Sequence, residues 1–485
     1  MERIVVVGGG AGGLELVTRL GDRWGSRTHT PRAEVVLIDR YPTHVWKPLL
    51  HEVAAGSMDP FTHQLEYAAQ ARWHGFEFQQ GELVGLDRSR KVVTVGALRD
   101  EDGTVLLPAR ELAYDTLVLA IGSTTHFFGV PGADQYAIAL DTVSQAERFR
   151  RRLVSLCMRA RHWHATTGAA ALGSATPDAP TAGSAAQGAS ATSLPPVESA
   201  TAESEYVSST VEASSASHGE VRVAIVGGGA TGVELSAELR NTAQVLAAYG
   251  LHDVDPRHDL SITLVEAGPR LLPALSARLS EETRKLLTKL GVTVMIDARV
   301  EAVDTHGLKL ADGTRVDADL VVWAAGIKAS PVLARLDGLA TNRLGQLCVT
   351  QTLQTETDES IFALGDCASC AWGDDRRVPP RAQAAHQQAS FIFEALLRRA
   401  QGKPLGTFEY RDFGSLVSLG RFSAVGSLMG GLIGGSMFVE GLFARFMYTS
   451  LYRLHIAALH GYPRMVLDTV AHRLRRSTMP RVKLH

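Results

Sequence analysis

The chain has 485 residues, 45% hydrophobic and 21% charged, an ordinary globular composition and a length that suits about two to three domains. A net charge of −2 gives no reason to expect nucleic acid as a partner. Four cysteines (Cys157, Cys348, Cys367 and Cys370) are too few for a secreted disulfide scaffold. The charge is unevenly placed, because from Met437 onward eight Lys/Arg stand against two acids, about +6, leaving about −8 elsewhere. The first residues lack the basic and apolar regions of a signal peptide, so a cytosolic location is expected.

Arg3–Val7 reads as a β-branched strand buried on both faces of a parallel sheet. Gly8-x-Gly10-x-x-Gly13 follows. The first glycine permits a tight turn, the second lets a pyrophosphate approach the backbone, and the third lets the next helix pack on the strand. The N-terminus of that helix then offers N–H groups and a dipole to the phosphates. Val35–Ile38 is the next strand, and Asp39 at its end can accept hydrogen bonds from a ribose. His44–Glu52 (HVWKPLLHE) lies on the ligand side of such a sheet. It is either a surface loop with an apolar anchor or a place where Lys47 or Pro48 meets a cofactor ring. Lys91–Val95 and Val105–Leu107 are expected to pair as a hairpin about the turn Asp102-Gly103. Leu117–Ile121 is another buried strand, ending at Gly122.

Asp141–Ala160 is expected to be helical. Ala165–Ser217 is mostly Ala, Ser, Thr, Gly and Pro, cannot bury enough apolar surface to offset ordering entropy, and is read as a flexible insertion. The opening logic then repeats. Val221–Val226 is a strand, Gly227-x-Gly229-x-x-Gly232 a phosphate loop, Val233–Ala248 a helix, Ser261–Val265 the next strand and Glu266 its terminal acid. Gly250–Leu260 reads as a surface insertion. A carboxylate suits a free 2′-hydroxyl and repels a 2′-phosphate, so Glu266 favours NADH over NADPH; Arg270 is the neighbour that argues otherwise. Glu234 falls in the first turn of the second helix, and Glu15 in the equivalent place of the first. Each either complements its helix dipole or acts in a site. Leu308–Leu310, Asp312-Gly313, Thr314–Val316 and then Leu320–Ala325 with Gly326 match the earlier hairpin and strand, so the repeat extends beyond the loops. Two such loops in one chain suggest two dinucleotides brought face to face, an arrangement for moving electrons.

Ile361–Leu364 reads as a further strand of the first unit, with Gly365 and Asp366 at its end, where an aspartate can hydrogen-bond a ribityl hydroxyl. Pro379-Pro380 precedes a helix over Ala382–Ala400. Within it Gln383, His386 and Gln387 recur at i, i+3, i+4 and share one face, either half-exposed surface or the wall of a site. Cys367-x-x-Cys370 has no second pair to complete a metal site, and both thiols are assigned to packing. Phe422–Val439 carries no charge over eighteen residues, which approaches spanning length, but its five glycines favour short strands with glycine turns. Phe438–Ile456 is rich in Phe, Tyr, Leu and Met and carries Arg445 and Arg453, and Met465–Arg476 ends in a basic cluster. That mixture suits a membrane surface, or else a packed C-terminal helix or dimer contact.

VVGGGAGGLE, IDRYPTHVWKPLLHEVA, IVGGGATGVELSAEL, LVEAG, WAAGIKA, ALGDCASC, PPRAQAAHQ and GSLVSLGRFSAVGSLMG together resemble the bacterial type II NADH:quinone oxidoreductases, single-subunit flavoenzymes. The likeness covers nearly the whole chain except Ala165–Ser217. It implies an α/β fold of two Rossmann-like dinucleotide-binding domains, the second inserted in the first, plus a C-terminal membrane-surface region. Residues 1–128 and 329–405 would bind FAD, 129–328 would bind NADH and carry the 165–217 insertion, and 406–485 would attach to the membrane. The resemblance implies FAD at Gly8, Gly10, Gly12, Gly13, Asp39 and Asp366, and NADH at Gly227, Gly229, Gly232 and Glu266. Lys47, Gly122, Gly326 and Gly365 complete the expected cofactor contacts. It places Glu234 near the nicotinamide and Gln383 and Gln387 at a quinone pocket, as the catalytic set, with no metal. Many relatives carry a lysine in a Phe-x-Tyr-x-x-Lys-Gly element; here Phe408–Gly414 reads FEYRDFG, so Phe413 replaces that proton donor. The implied activity is NADH oxidation by a membrane quinone through FAD, without proton pumping, on the cytoplasmic face of the cell membrane, by a monomer or homodimer. Sulfide:quinone oxidoreductase, which needs cysteines near the flavin, and a non-enzymatic flavin redox sensor are the alternatives.

Overall fold

The computed structural model describes residues 1–172, 220–248, 259–374, 376–419, 424–429, 436–440, 453, 455–459 and 461–475. Two five-stranded parallel sheets organise it, and they are built alike. In the first the order is Ile361–Ala363, Thr116–Leu119, Glu2–Val7, Ala33–Asp39, Glu77–Gln80. In the second it is Ala137–Ala139, Leu320–Trp323, Val221–Val226, Leu260–Val265, Val292–Met295. Each glycine-loop strand sits at the centre, with its acid-ended strand beside it. Ile4, Val5, Val6, Ile225 and Val223 are buried, as central parallel strands covered on both faces require. The second sheet lies in sequence between the fourth and fifth contributions to the first, so one Rossmann-like unit is inserted in the other.

Each unit carries a three-stranded antiparallel accessory sheet. The second pairs Gly307–Leu310 with Arg315–Asp317, the hairpin expected from the sequence, and adds Val300–Asp304, which was not expected. The first differs from expectation. Val92–Val95 pairs with Arg110–Ala113 and Leu83–Asp87, not with Val105–Leu107. Val105–Leu107 instead closes a small outlying hairpin with Leu98–Arg99. The turn at Asp102-Gly103 is present, with Gly103 at φ +82, but it serves this nearer partner. Contiguous strands satisfy their hydrogen bonds at the smallest loop cost.

Two short strands tie the units together. Ser123–Thr125, just after Gly122, pairs antiparallel with Ile327–Ala329, just after Gly326. Both glycines have positive φ, +79 and +68, and turn the chain out of one sheet and across to the other. A second tie is the Leu50–Ala55 helix, whose Leu50, Val53 and Ala54 pack in the core of the second unit. Thr242 Oγ1 on the second unit's loop helix donates to Ala55 O at 2.8 Å.

The helix expected from Asp141 runs over Val143–Leu172. It continues past 165, where the flexible insertion was expected to begin; residues 173–217 of that insertion lie outside the described residues, as do residues 250–258 of the second insertion. Gly414–Ser418, Ala424–Met429 and Ser436–Glu440 form an antiparallel sheet, so the uncharged 422–439 stretch contributes strands. Residues 441–452 lie outside the described residues. Among the described residues no helix is long and apolar enough to cross a membrane. Tyr462–Arg475 is a helix, and Tyr462, Val466, Leu467 and Val470 on one side of it are exposed.

Candidate functional site: a cleft between two glycine loops

The two loops solve the same steric problem twice. Gly8 and Gly227 have φ of +105 and +112. A Cβ on Gly8 would overlap Ala120 O, and one on Gly227 would come within 2.8 Å of Ala324 C. A Cβ on Gly13 would overlap Gly8 O, and one on Gly232 would overlap Gly227 O. These four glycines therefore let the chain touch itself. Gly12 is similar, since its Cβ would lie 2.8 Å from Ala385 O on the Ala382–Arg399 helix. Gly10 and Gly229 are different: a Cβ there would meet nothing within 4 Å. The middle glycine of each loop faces open space, which is the cradle a pyrophosphate needs.

Each terminal acid is held the same way. Asp39 Oδ2 accepts from Gly9 N at 2.6 Å and Oδ1 from Tyr41 N at 2.9 Å. Glu266 Oε2 accepts from Gly228 N at 2.5 Å and Oε1 from Gly268 N at 2.6 Å. Burial pushes the Asp39 carboxyl upward, partly opposed by its two amide donors. Each carboxylate keeps lone pairs beyond those the amides use, and a ribose diol offers the matching donors. Arg270 donates to Pro273 O at 2.9 Å, so its guanidinium is turned to its own loop.

A cavity of about 2200 Å³ opens between the units. Gly8, Gly10, Gly12, Gly13 and Asp39 line it. Lys47, Gly122, Gly326, Gly365 and Asp366 ring the same space. Glu234, Gln383 and Gln387 also line it. Gly227, Gly229, Gly232 and Glu266 are not among its walls; the second unit reaches it through Ala230, Thr231 and Glu234, where the loop passes into the Ala230–Ala248 helix. The donor set, the open middle glycines and the two strand-end acids fit two dinucleotides, one on each loop.

The polar groups around the cleft are tied to one another. Ser123 Oγ donates to Asp366 Oδ2 at 2.7 Å, and Gln346 Nε2 donates to Asp366 O at 2.9 Å. Lys47 Nζ reaches Ser123 O at 3.5 Å, the limit of a hydrogen bond. Gly365 N donates to Gln388 Oε1 at 2.7 Å. Glu234, buried, accepts from Ser418 N at 2.9 Å and lies 3.5 Å from His51 Nδ1. Burial pushes His51 down to about 4, so at neutral pH this is a contact with a neutral ring and not an ion pair. Gln383 Oε1 accepts from Tyr410 OH at 3.1 Å. Gln387 uses both ends of its amide on Arg411, donating to its carbonyl at 2.8 Å and accepting from its N–H at 3.0 Å. Phe413 stands in the wall of the cleft and is exposed.

Several residues in the walls escape a reading of the sequence. Tyr67 OH donates to Gly9 O at 2.7 Å, and His44 Nδ1 donates to the same carbonyl at 2.8 Å. His44 Nε2 meets His455 Nε2 at 3.0 Å, and the His455 ring lies 4.2 Å from that of Trp46. HVWKPLLHE marks the loop, but nothing in the sequence pairs residue 44 with residue 455. The four cysteines stay out of the cleft. Cys367 and Cys370 are buried, and burial raises each thiol to about 11.

A paired-loop cleft on this fold defines a two-dinucleotide flavoprotein oxidoreductase. The pattern of the pyridine nucleotide-disulphide oxidoreductases matches residues 2–176 and 184–389. A type II NADH:quinone oxidoreductase of Haemophilus influenzae is 40% identical over 485 residues, 100% of both chains. Demethylphylloquinone reductase NdbB of Synechocystis is 28% identical over 88% of this chain and 87% of its own. Among solved structures, NDH2 of Plasmodium falciparum in complex with NADH has a TM-score of 0.71 at 16% identity, covering 97% of this chain and 98% of that one. Sulfide:quinone oxidoreductase of Aquifex aeolicus has 0.66 at 15%, covering 95% and 92%, a likeness of fold. The chain belongs to the type II NADH:quinone oxidoreductases, within the pyridine nucleotide-disulphide oxidoreductase family.

Proposed function

We propose that the chain oxidises NADH and reduces a membrane quinone, with FAD resident on the first loop and without moving protons across the membrane. One observation carries this reading: a single cleft is walled by the first loop, the start of the second loop helix and the start of the Ala382–Arg399 helix. At about 2200 Å³ it exceeds the roughly 300–1,000 Å³ of an ordinary one-ligand pocket. When bound, FAD supplies the redox chemistry, taking a hydride from NADH and releasing two electrons to the quinone.

The protein's contribution is placement and charge. Gly10 leaves its backbone open and the Ala11–Trp24 helix directs its N-terminus at the phosphates. Asp39 and Asp366 hold hydroxyl groups of FAD, with Lys47, Gly122 and Gly365 beside them. Glu266 holds the ribose of NADH and excludes a 2′-phosphate, while Gly227, Gly229 and Gly232 cradle its pyrophosphate. Gly326 and Glu234 close the space around the nicotinamide, and the Ser418 N–H fixes the Glu234 carboxylate. The Ala382–Arg399 helix begins at the cleft, so its dipole favours negative charge there. Gln383 and Gln387 mark the quinone end, where Gln387 also holds the Arg411 backbone.

Residues 1–128 and 329–405 serve as the FAD domain, 129–328 as the NADH domain and 406–485 as the membrane-attachment region. The exposed side of the Tyr462–Arg475 helix meets lipid. Eight basic residues against two acids after Met437 favour an anionic headgroup layer over a second copy of the chain, the competing use of that face. The attachment is peripheral, on the cytoplasmic face. Sulfide:quinone chemistry is disfavoured because no cysteine lines the cleft.

The test is anaerobic addition of NADH to the purified protein while flavin absorbance is followed, then addition of anionic vesicles loaded with quinone. Absorbance should bleach and then return. A protein lacking residues 437–485 should still bleach but no longer sediment with the vesicles. A colourless preparation, or a flavin that stays oxidised in excess NADH, overturns the proposal.

A further inference from the structure

Hydride transfer leaves a proton unaccounted for. NADH, a quinone and one proton give NAD⁺ and quinol, because the hydride carries two electrons but only one of the two protons that quinol needs. Phe413 in the cleft wall has no proton to give, so the second proton needs another donor.

His386 lies on the quinone-end face between Gln383 and Gln387 and lines the cleft, with 26% of its side chain exposed. Its Nδ1 makes a short contact with Glu15 Oε2. Glu15 is buried on the first loop helix and also accepts from Ser390 Oγ at 3.2 Å, with Arg19 Nη1 at 3.5 Å. A carboxylate so dressed accepts and does not donate, so Nδ1 carries a hydrogen whether the ring is neutral or charged. That leaves Nε2, the nitrogen on the opposite side of the ring, available to a ligand in the cleft.

The neighbours reinforce this division of labour. His44 Nδ1 faces a carbonyl and must donate, so its Nε2 accepts from Nε2–H of His455. Burial holds His44 down to about 4, which keeps that ring neutral. The His455 ring packs 5.2 Å, and the Trp46 ring 5.8 Å, from His386. On the neighbouring elements Arg381 pairs with Asp412 at 3.3 Å and Arg19 with Glu394 at 3.6 Å, and Arg453 also lines the cleft.

We propose that His386 Nε2–H is the proton donor to the quinone oxygen, and that Glu15 is the positioning residue that holds Nδ1–H. This deepens the quinone reading above and rests on it. The Nε2–H bond breaks as the quinone O–H bond forms, leaving the neutral Nδ1–H ring that Glu15 already stabilises. Water restores the proton, and NADH supplies both electrons.

Ferricyanide separates the two halves, because it takes electrons without a proton. In His386→Gln, quinone turnover should fall about 100-fold, within the range of a positioned general acid. Ferricyanide turnover should fall less than about threefold, and the decline of quinone rate toward high pH should vanish. In Glu15→Gln that decline should move to lower pH, and ¹⁵N-histidine spectra should show His386 losing its single Nδ1–H tautomer. Equal losses with both acceptors, or an unaltered pH profile in His386→Gln, overturn the assignment. If His386→Gln fails to keep FAD, Glu15→Gln and the spectra decide, and a wild-type His386 with Nε2–H as its neutral tautomer also overturns it. A wild-type protein that reduces ferricyanide but no quinone refutes the quinone reading, and the donor with it.

Discussion

Replacing glycines with alanine separates the two jobs that one loop does. Gly10 has φ −65 and ψ −170, ordinary values for alanine, and an added Cβ meets no protein atom within 4 Å. Gly10→Ala should therefore fold as wild type, within about 0.5 kcal/mol. The methyl group would stand where the pyrophosphate must approach. Loss of one charge-assisted hydrogen bond, worth roughly 1.5–3 kcal/mol, weakens FAD binding about 10- to 150-fold. Gly13→Ala should behave in the opposite way. Its Cβ overlaps the Gly8 carbonyl, so the Ala11–Trp24 helix has to lift from its strand, at about 1–3 kcal/mol. For a unit of this size that lowers the melting temperature by roughly 2–12 °C. Melting must be read on FAD-free protein, because bound cofactor itself stabilises the folded state. FAD affinity comes from titration of the same preparations, followed by absorbance. Gly10→Ala with wild-type affinity would show that no phosphate passes there. Gly13→Ala with wild-type melting would refute the packing argument. Gly229→Ala should raise the KM for NADH and spare FAD, since Gly229 repeats Gly10 in the second unit.

Two further outcomes follow from charge. Glu266→Arg removes the acceptor of the Gly228 and Gly268 N–H groups and offers a cation to a 2′-phosphate; the NADPH to NADH ratio of kcat/KM should rise at least about tenfold, and an unchanged ratio refutes the ribose assignment. His44 and His51 are buried with pKa values pushed from 6.5 to about 4, so the unfolded chain binds more protons than the folded one between those values. The stability each neutral ring contributes is complete above pH 6.5 and is lost as pH falls toward 4, by about 2 kcal/mol per ring at pH 5. Urea midpoints of the FAD-free protein at pH 7.5 and 5 measure this, and His51→Gln should flatten the slope; a midpoint independent of pH across that window contradicts the burial argument.

What could be read from the sequence, and what could not, divides along the range of the interactions. Strands buried on both faces and loops that require glycine announce themselves locally, because burial and positive φ restrict single positions. The central strands of both parallel sheets and the hairpin of the second accessory sheet were legible for that reason, whereas the outer strands Glu77–Gln80, Ala137–Ala139 and Val292–Met295 were not. Pairing partners were less so: Val105–Leu107 is an apolar run beyond a turn and so reads as a partner for Val92–Val95, yet Leu98–Arg99 is nearer and takes that place. The family likeness carried the choice of Gln383 and Gln387, which helical spacing alone left open. It did not carry their surroundings, since nothing in FEYRDFG (Phe408–Gly414) shows that the Arg411 backbone occupies both ends of Gln387.

The histidines show why such a site resists sequence reading even when each part is visible. His44 follows the strand that ends in Asp39, His386 lies in the first turns of a helix seventeen residues beyond Ser369, and His455 belongs to the C-terminal region. Each alone looks like a core or surface histidine. Together they carry out different tasks because their partners differ in kind. A carbonyl fixes His44 as a donor at Nδ1, and His44 in turn fixes His455. His386 faces the Glu15 carboxylate through Nδ1, and it borders the cleft. The contact between His44 and His455 also joins the region after Met437 to the carbonyl of Gly9, inside the first phosphate loop. Seating of the C-terminal region and shape of the cofactor loop are therefore coupled through one imidazole pair. A change that unseats His455 should be felt first at His44 and the Gly9 carbonyl, before it reaches either sheet.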